Sequence, residues 1–425
     1  MKRRLFLAFF ITLTITTLGQ NQPSQPTTGY GSSEIFYNQV TTFNSDDGVT
    51  GFMLYIPDSP HADSLPLIVF THGFGEWNPM RYGSWIDHLV KRGNIVVFPR
   101  YQQNEYTTFS INFTSNTAAG ILRAIDTIHA HSNWTQPKLN QVFYMGHSYG
   151  GLISANLATK YLNYGIPKPK AVLMACPGYG QYPGGQLSNY GTMDSSIFLL
   201  EIIEHEDHVV DSTFALQVFN QTTWIPYVHK NLVIHYADTT GAPGITSTHG
   251  EPSCVDSTYD NGDVGVVMSQ ANFAYTDAND FYCYWKLFDA LEDCALAGNG
   301  CTTAFGDTPE QKNMGQWSNG TPLIPLEIRP KNNTTLVETI GTLDKTTVYP
   351  NPGNGVFTIE MEMNKIVSQY SVEVYNTIGQ KINAKQQTHN SKLRIDISTE
   401  PKGIYSYRIV TLSGEIAHTG KLLVY

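Results

Sequence analysis

Gly146-His147-Ser148-Tyr149-Gly150 is the segment of this 425-residue chain whose residue types and spacing point most directly to chemistry. The apolar run Val142-Phe143-Tyr144-Met145 precedes it, and a helical pattern from Leu152 to Leu162 follows. A strand, a sharp turn and a helix in that order hold a serine hydroxyl clear of a sheet. Such a turn is strained, so small residues must flank the serine, and Gly146 and Gly150 supply them. The free N–H groups at the start of the helix favour a developing negative charge. Ser148 therefore reads as a nucleophile. The competing reading is a glycine-rich strand-to-helix turn without chemistry.

A nucleophilic serine needs an oxyanion site, an acid and a base. Two backbone donors are expected, the N–H of Tyr149 and that of Phe74 in the loop Thr71-His72-Gly73-Phe74-Gly75. Phe74, Trp77 and His147 are the expected substrate contacts, with plain packing under a loop as the alternative for the two aromatic rings. The acid is sought in Glu204-His205-Glu206-Asp207-His208-Val209-Val210-Asp211, just past the strand pattern Ile197 to Ile203. Histidines and acids crowd that segment, which also invites a metal. No further cluster completes a ligand set, so no metal is expected. The base must follow on a later loop. His235 lies inside the strand pattern Leu232 to Tyr236 and reads as structural, which leaves His249, in the loop beyond it. His129 and His131, two apart on a helix, read as a surface pair.

The elements that must position these groups alternate. Strand patterns at Phe52–Pro57, Leu67–Phe70, Ile95–Phe98, Val142–Met145, Ala171–Ala175, Ile197–Leu200 and Leu232–Ile234 are short apolar runs without alternation. Such runs suit strands buried on both faces. Helical patterns lie between them: Trp85 to Lys91, Ala118 to His131 with Asn116 as its cap, Leu152 to Leu162, and a stripe of Tyr284, Phe288, Leu291 and Ala295. The fold class is α/β, a mostly parallel sheet covered by helices on both sides. Near residue 320 the pattern changes to prolines and asparagines, then to short β-type segments with no helix. These form a small C-terminal β-sandwich.

Composition bounds the rest. The formal net charge is -10 and no basic patch occurs, which argues against a nucleic-acid partner. Residues 1-20 carry Lys2-Arg3-Arg4 and then an apolar run, a secretory signal peptide too short to span a bilayer. Residues 21-33 read as a flexible leader, 34-328 as the catalytic domain, 329-346 as a linker and 347-425 as the sandwich. Five cysteines can oxidise after export. Cys294 and Cys301 bracket a short glycine-containing loop and are the best disulfide pair. Cys254 with Cys283 is a weaker one, and Cys176 is left free.

Two resemblances extend this reading. The tail resembles the C-terminal sorting domain of the type IX (Por) secretion system. The motifs are Val348-Tyr349-Pro350-Asn351-Pro352, Tyr375-Asn376-Thr377-Ile378-Gly379-Gln380, Pro401-Lys402-Gly403-Ile404-Tyr405 and Gly420-Lys421-Leu422-Leu423-Val424. This implies export through the periplasm to the cell surface or beyond, with the secretion machinery as partner. Residues from about 34 to 328 resemble secreted bacterial α/β-hydrolases of the chlorophyllase, cutinase-like and polyester-hydrolase type. The matching pieces are Pro66 to Phe74, the turn around Ser148, the acid turn and the His249 loop, with Tyr284–Leu291 and Met314–Ser318. Asp207 fits that group's pattern of acid, any residue and two aliphatics, and Glu206 is the reserve. The resemblance implies an α/β-hydrolase fold and carboxylic-ester hydrolysis by Ser148, Asp207 and His249 without a cofactor. Where polyester hydrolases place Trp and Met beside the serine, this chain has His147 and Tyr149. A serine peptidase and a non-catalytic surface-binding protein are the alternatives. Dehalogenases and epoxide hydrolases of this fold carry Asp at the nucleophile position, where this chain has Ser148.

Overall fold

The computed structural model describes residues 20–45, 48–104, 110–182, 184–263, 275–329, 346–361, 370–376, 380–382, 385–389, 392–411 and 416–425. The chain divides into two compact units, Met1–Lys331 and Asn332–Tyr425. The signal-peptide reading and most of the linker reading lie outside the described residues.

The first unit is built on a mixed sheet. Its strands are β1 (Gln39–Asn44), β2 (Phe52–Ser59), β3 (Ser64–Thr71), β4 (Ile95–Pro99), β5 (Gln136–His147), β6 (Ala171–Ala175), β7 (Phe198–Glu204), β8 (Lys230–His235) and β9 (Glu327–Ile328). Among the described residues their order is β1-β2-β4-β3-β5-β6-β7-β8-β9. The inner pairs from β4 to β8 are parallel, while β1, β2 and β9 run antiparallel to their neighbours. β4 and β6 are buried at every position, the burial that non-alternating apolar runs encode.

Helices cover both faces. They are α1 (Gly83–Lys91), α2 (Phe113–Ala130), α3 (Tyr149–Tyr164), α4 (Thr213–Gln221) and α5 (Lys286–Ala297). Ile68 and Phe70 of β3 join one apolar cluster with Trp85, Leu89, Phe288 and Leu291 of α1 and α5. Leu67 and Val69 point the other way, into a cluster with Ile121, Leu152 and Leu157 of α2 and α3. The two-residue period of a strand thus splits one apolar run between two helical layers.

Three expectations are corrected. Asn116 does not cap α2. The helix begins at Phe113, and the Asn116 side chain donates to the Tyr101 carbonyl at 3.1 Å. The leader is not flexible chain: Gln22 donates to Pro243 O and Gly244 O at 3.3 and 3.2 Å, and Gly31 N donates to Asp289 Oδ2 at 2.8 Å. Ser32 is fully buried. A polar segment is held here by hydrogen bonds rather than by an apolar stripe, so its composition hides its order. Cys254 and Cys283 are both buried free thiols, as is Cys176, while Cys294 and Cys301 form a disulfide.

One core residue stands out. Glu201 of β7 is fully buried and, among the described residues, neither carboxylate oxygen has a hydrogen-bond partner. Burial pushes its carboxyl well above the usual range, against the opposing pull of Lys230 and Arg329. The folded chain therefore keeps a proton that the unfolded chain releases above about pH 4.3. Stability from this group is complete below that pH and is lost as pH rises through the folded value. Glu201→Met will raise neutral-pH stability by about 1 to 3 kcal/mol. Urea unfolding at pH 5 and pH 8 checks this, and the gain should be larger at pH 8.

The second unit is all-β. Its strands are β10 (Thr346–Tyr349), β11 (Val356–Met361), β12 (Tyr370–Tyr375), β13 (Lys381–Ile382), β14 (Lys385–His389), β15 (Lys392–Asp396), β16 (Gly403–Thr411) and β17 (Ile416–Val424). Among the described residues they form two antiparallel sheets, β10-β11-β15-β14 and β13-β12-β16-β17. Phe357, Ile359, Val372, Val374, Ile395 and Ile409 fill the space between them.

Candidate active site

Ser148 sits between the end of β5 and the start of α3. Its backbone is at φ 57° and ψ -123°, outside the ordinary regions for a residue with a side chain. The parallel ladder fixes it there, since Ser148 N donates to Ala175 O at 2.9 Å. The flanking glycines answer to space. A Cβ at Gly146 would overlap the Gly150 backbone, and one at Gly150 would overlap the carbonyl oxygens of Thr71 and His72. Gly150→Ala must therefore push α3 away from β3. It will cost about 3 kcal/mol or more, read as a fall in the urea midpoint.

Three side chains meet in front of this turn. His249 Nε2 lies 2.8 Å from Ser148 Oγ, and His249 Nδ1 lies 2.7 Å from Asp207 Oδ2. Asp207 follows β7 and His249 follows β8. The other Asp207 oxygen, Oδ1, accepts the N–H groups of Val209 and Val210 at 2.8 and 3.1 Å. Burial raises the Asp207 carboxyl, but the His249 contact and these two N–H groups outweigh it, and its pKa is lowered. Glu206 is exposed and plays no part in the contact.

The loops that carry Asp207 and His249 are tied together. Ser247 Oγ donates to His235 O and accepts from His205 N, both at 2.8 Å, and Ser247 O accepts Glu206 N at 3.0 Å. Glu251 closes the His249 loop, taking the Thr246 and Thr248 hydroxyls at 2.5 and 2.9 Å. Behind the site a buried pair forms between Glu204 and His235, with Nδ1 to Oε2 at 2.5 Å, and Tyr284 OH donates to Glu204 at 2.5 Å. Burial opposes an imidazolium at His235, but Glu204 outweighs it and raises its pKa. His235 is structural. The sequence gives little sign of this second group, whose members lie 31 and 80 residues apart.

Cys176, Asp207 and His249 each bring a possible ligand atom within 4.8 Å of the others. Burial, then Glu204 and Asp207, push the Cys176 thiol well above its ordinary pKa, which disfavours the thiolate a metal takes. His249 already spans Asp207 and Ser148. This donor set fits proton transfer better than metal binding.

The remaining expected contacts divide. Phe74 is half-buried, stacks on Tyr182 with centroids 4.0 Å apart, and lies 6.4 Å from the Tyr149 ring, so it borders the turn. Trp77 does not. It is buried and, with Phe52, Met53, Phe98, Arg100 and Asp263, lines a recess that no residue of the Ser148–His249–Asp207 group lines. The Arg100 guanidinium packs 5.8 Å from its ring. His147 is fully buried and presents no surface to a substrate. Both residues are corrected from substrate contacts to internal ones. His129 is exposed, and His131 is half-buried and stacks on Trp134 at 3.9 Å.

Residues 347–424 match the family described as the secretion system C-terminal sorting domain. The C-terminal unit is a type IX sorting domain. The sorting domain marks the protein for export, to the outside or the cell surface, and the secretion machinery is its partner. Its motifs are structural joints as well. Asn351 donates to Lys421 O at 2.7 Å and accepts Leu423 N at 3.0 Å, so the first motif clamps the last strand. Tyr405 OH donates to Pro401 O at 2.6 Å, closing the turn before β16. Residues 377–379 of the second motif lie outside the described residues. Among the described residues no helix is long and apolar enough to cross a membrane. No curated relative matches the chain.

Proposed function

We propose that the first unit is an α/β-hydrolase that cleaves carboxylic esters outside the cell. The observation that carries this reading is the unbroken line from Asp207 through His249 to Ser148, with contacts of 2.7 and 2.8 Å. The strand order supports it, with an antiparallel β2 beside a parallel run from β4 to β8. The nucleophile follows β5, the acid follows β7 and the base follows β8, the chain order Ser, Asp, His of that fold.

Each group has a task in this reading. Ser148 Oγ attacks the acyl carbon while its proton passes to His249 Nε2. Asp207 holds the Nδ1–H tautomer and stabilises the imidazolium. The Tyr149 and Phe74 N–H groups would receive the oxyanion. His249 then gives its proton to the leaving alcohol. A water, deprotonated by the same nitrogen, releases the acid and returns Ser148 to its starting state.

Turnover of p-nitrophenyl esters from acetate to decanoate, beside the matching p-nitroanilides, tests the reading. Rapid ester turnover and slow anilide turnover are expected. Faster anilide cleavage would make the protein a peptidase, and no turnover of either would sink the proposal.

A further inference from the structure

His147 was expected to touch substrate, yet its ring is fully buried. Its contacts run instead to two other loops. Nε2–H donates to the backbone carbonyl of His249 at 2.8 Å. Nδ1 lies 2.8 Å from Tyr82 OH and 3.2 Å from Glu76 Oε2. Tyr82 OH also bonds Glu76 and accepts Gly73 N at 3.1 Å, inside the loop that carries Phe74. Arg81 pairs with Glu76, Nε to Oε1 at 2.9 Å, and every member of the group is buried. One imidazole thus ties together the turn before Ser148, the oxyanion loop and the base loop.

The bond to His249 is placed at the residue that matters. Ser247 and Glu251 anchor the base loop on either side. His147 alone of these grips the His249 peptide itself, with the two rings 4.8 Å apart. A displacement of about 1 Å at a reacting group can cost about a hundredfold in rate. Burial outweighs Glu76 and lowers the His147 pKa. The His249 carbonyl can only accept, so Nε2 carries a proton, while beside Nδ1 the Tyr82 hydroxyl donates to Glu76 Oε2.

We propose that His147, oriented by Tyr82 and Glu76, is a positioning residue that sets the His249 imidazole over Ser148 by holding the His249 carbonyl. The proposal rests on the ester-hydrolase reading above for its kinetic arm only. Glutamine carries an amide N–H to about the reach of Nε2, whereas asparagine ends near Nδ1. His147→Asn should lower kcat for a p-nitrophenyl ester about 10- to 100-fold with KM within about twofold. His147→Gln should recover most of that loss. Tyr82→Phe should show a smaller fall in kcat, again at constant KM, and serves if His147→Asn fails to fold. An equal loss in the Asn and Gln variants, or an unchanged kcat in folded His147→Asn and Tyr82→Phe, overturns the proposal.

The second arm does not need activity. In full-length protein with ¹³C-labelled histidine, the His249 ring signal should move in His147→Asn and return in His147→Gln. That result in a protein that cleaves no ester would retain the positioning role and discard the reaction. A His249 signal indifferent to both substitutions would discard the positioning role whatever the activity.

Discussion

Replacing Ser148 with alanine will lower kcat for a short p-nitrophenyl ester by about a millionfold. The loss is expected to be that large because the proposed mechanism assigns the attack to this hydroxyl. His249 Nε2 is 2.8 Å from Oγ. The fold will survive, since the backbone strain at φ 57° is imposed by the strand ladder and the glycine contacts rather than by the hydroxyl. Unchanged melting with vanished turnover is the expected pair of measurements. A variant that kept even a hundredth of the activity would place the nucleophile elsewhere.

Asp207→Asn should cost about ten thousandfold in kcat, with KM nearly constant. The amide matches the carboxylate in shape. Its oxygen would still face the Val209 and Val210 N–H groups, which now sit 2.8 and 3.1 Å from Oδ1. Its nitrogen would then face His249 Nδ1 as a donor, forcing the imidazole to carry its proton on Nε2. That tautomer cannot accept from Ser148. Steady-state kinetics with the ester separates this from a binding defect, because a lost substrate contact would raise KM instead.

The pieces that were legible in the sequence are those fixed by local physics. Strands buried on both faces appear as unbroken apolar runs, and the turn at Ser148 demands glycine at Gly146 and Gly150, where a Cβ meets backbone. Position after a strand pattern narrowed the choice to a short acidic segment and to His249, and Asp207 was singled out only by the resembled group's pattern of acid, any residue and two aliphatics. The misread residues depend on distant partners. His147 looks like a pocket residue beside a nucleophile, but its contacts with Glu76 and His249 span 71 and 102 residues. Trp77 looks like a pocket wall beside a glycine-rich loop until its neighbours on β2 and β4 are known. The leader reads as flexible because Gln22 finds its acceptors 221 and 222 residues away. In the C-terminal unit, ordered motifs over a short span made the sorting domain readable without any contact map.

Ser148 should behave as an activated nucleophile toward an organophosphorus probe. Labelling the intact protein with a fluorophosphonate and locating the adduct by peptide mass spectrometry tests it without any assumption about the natural ester. A single adduct on Ser148, absent after Ser148→Ala and strongly slowed after Asp207→Asn, is the predicted result. No adduct, or one on another residue, would contradict it.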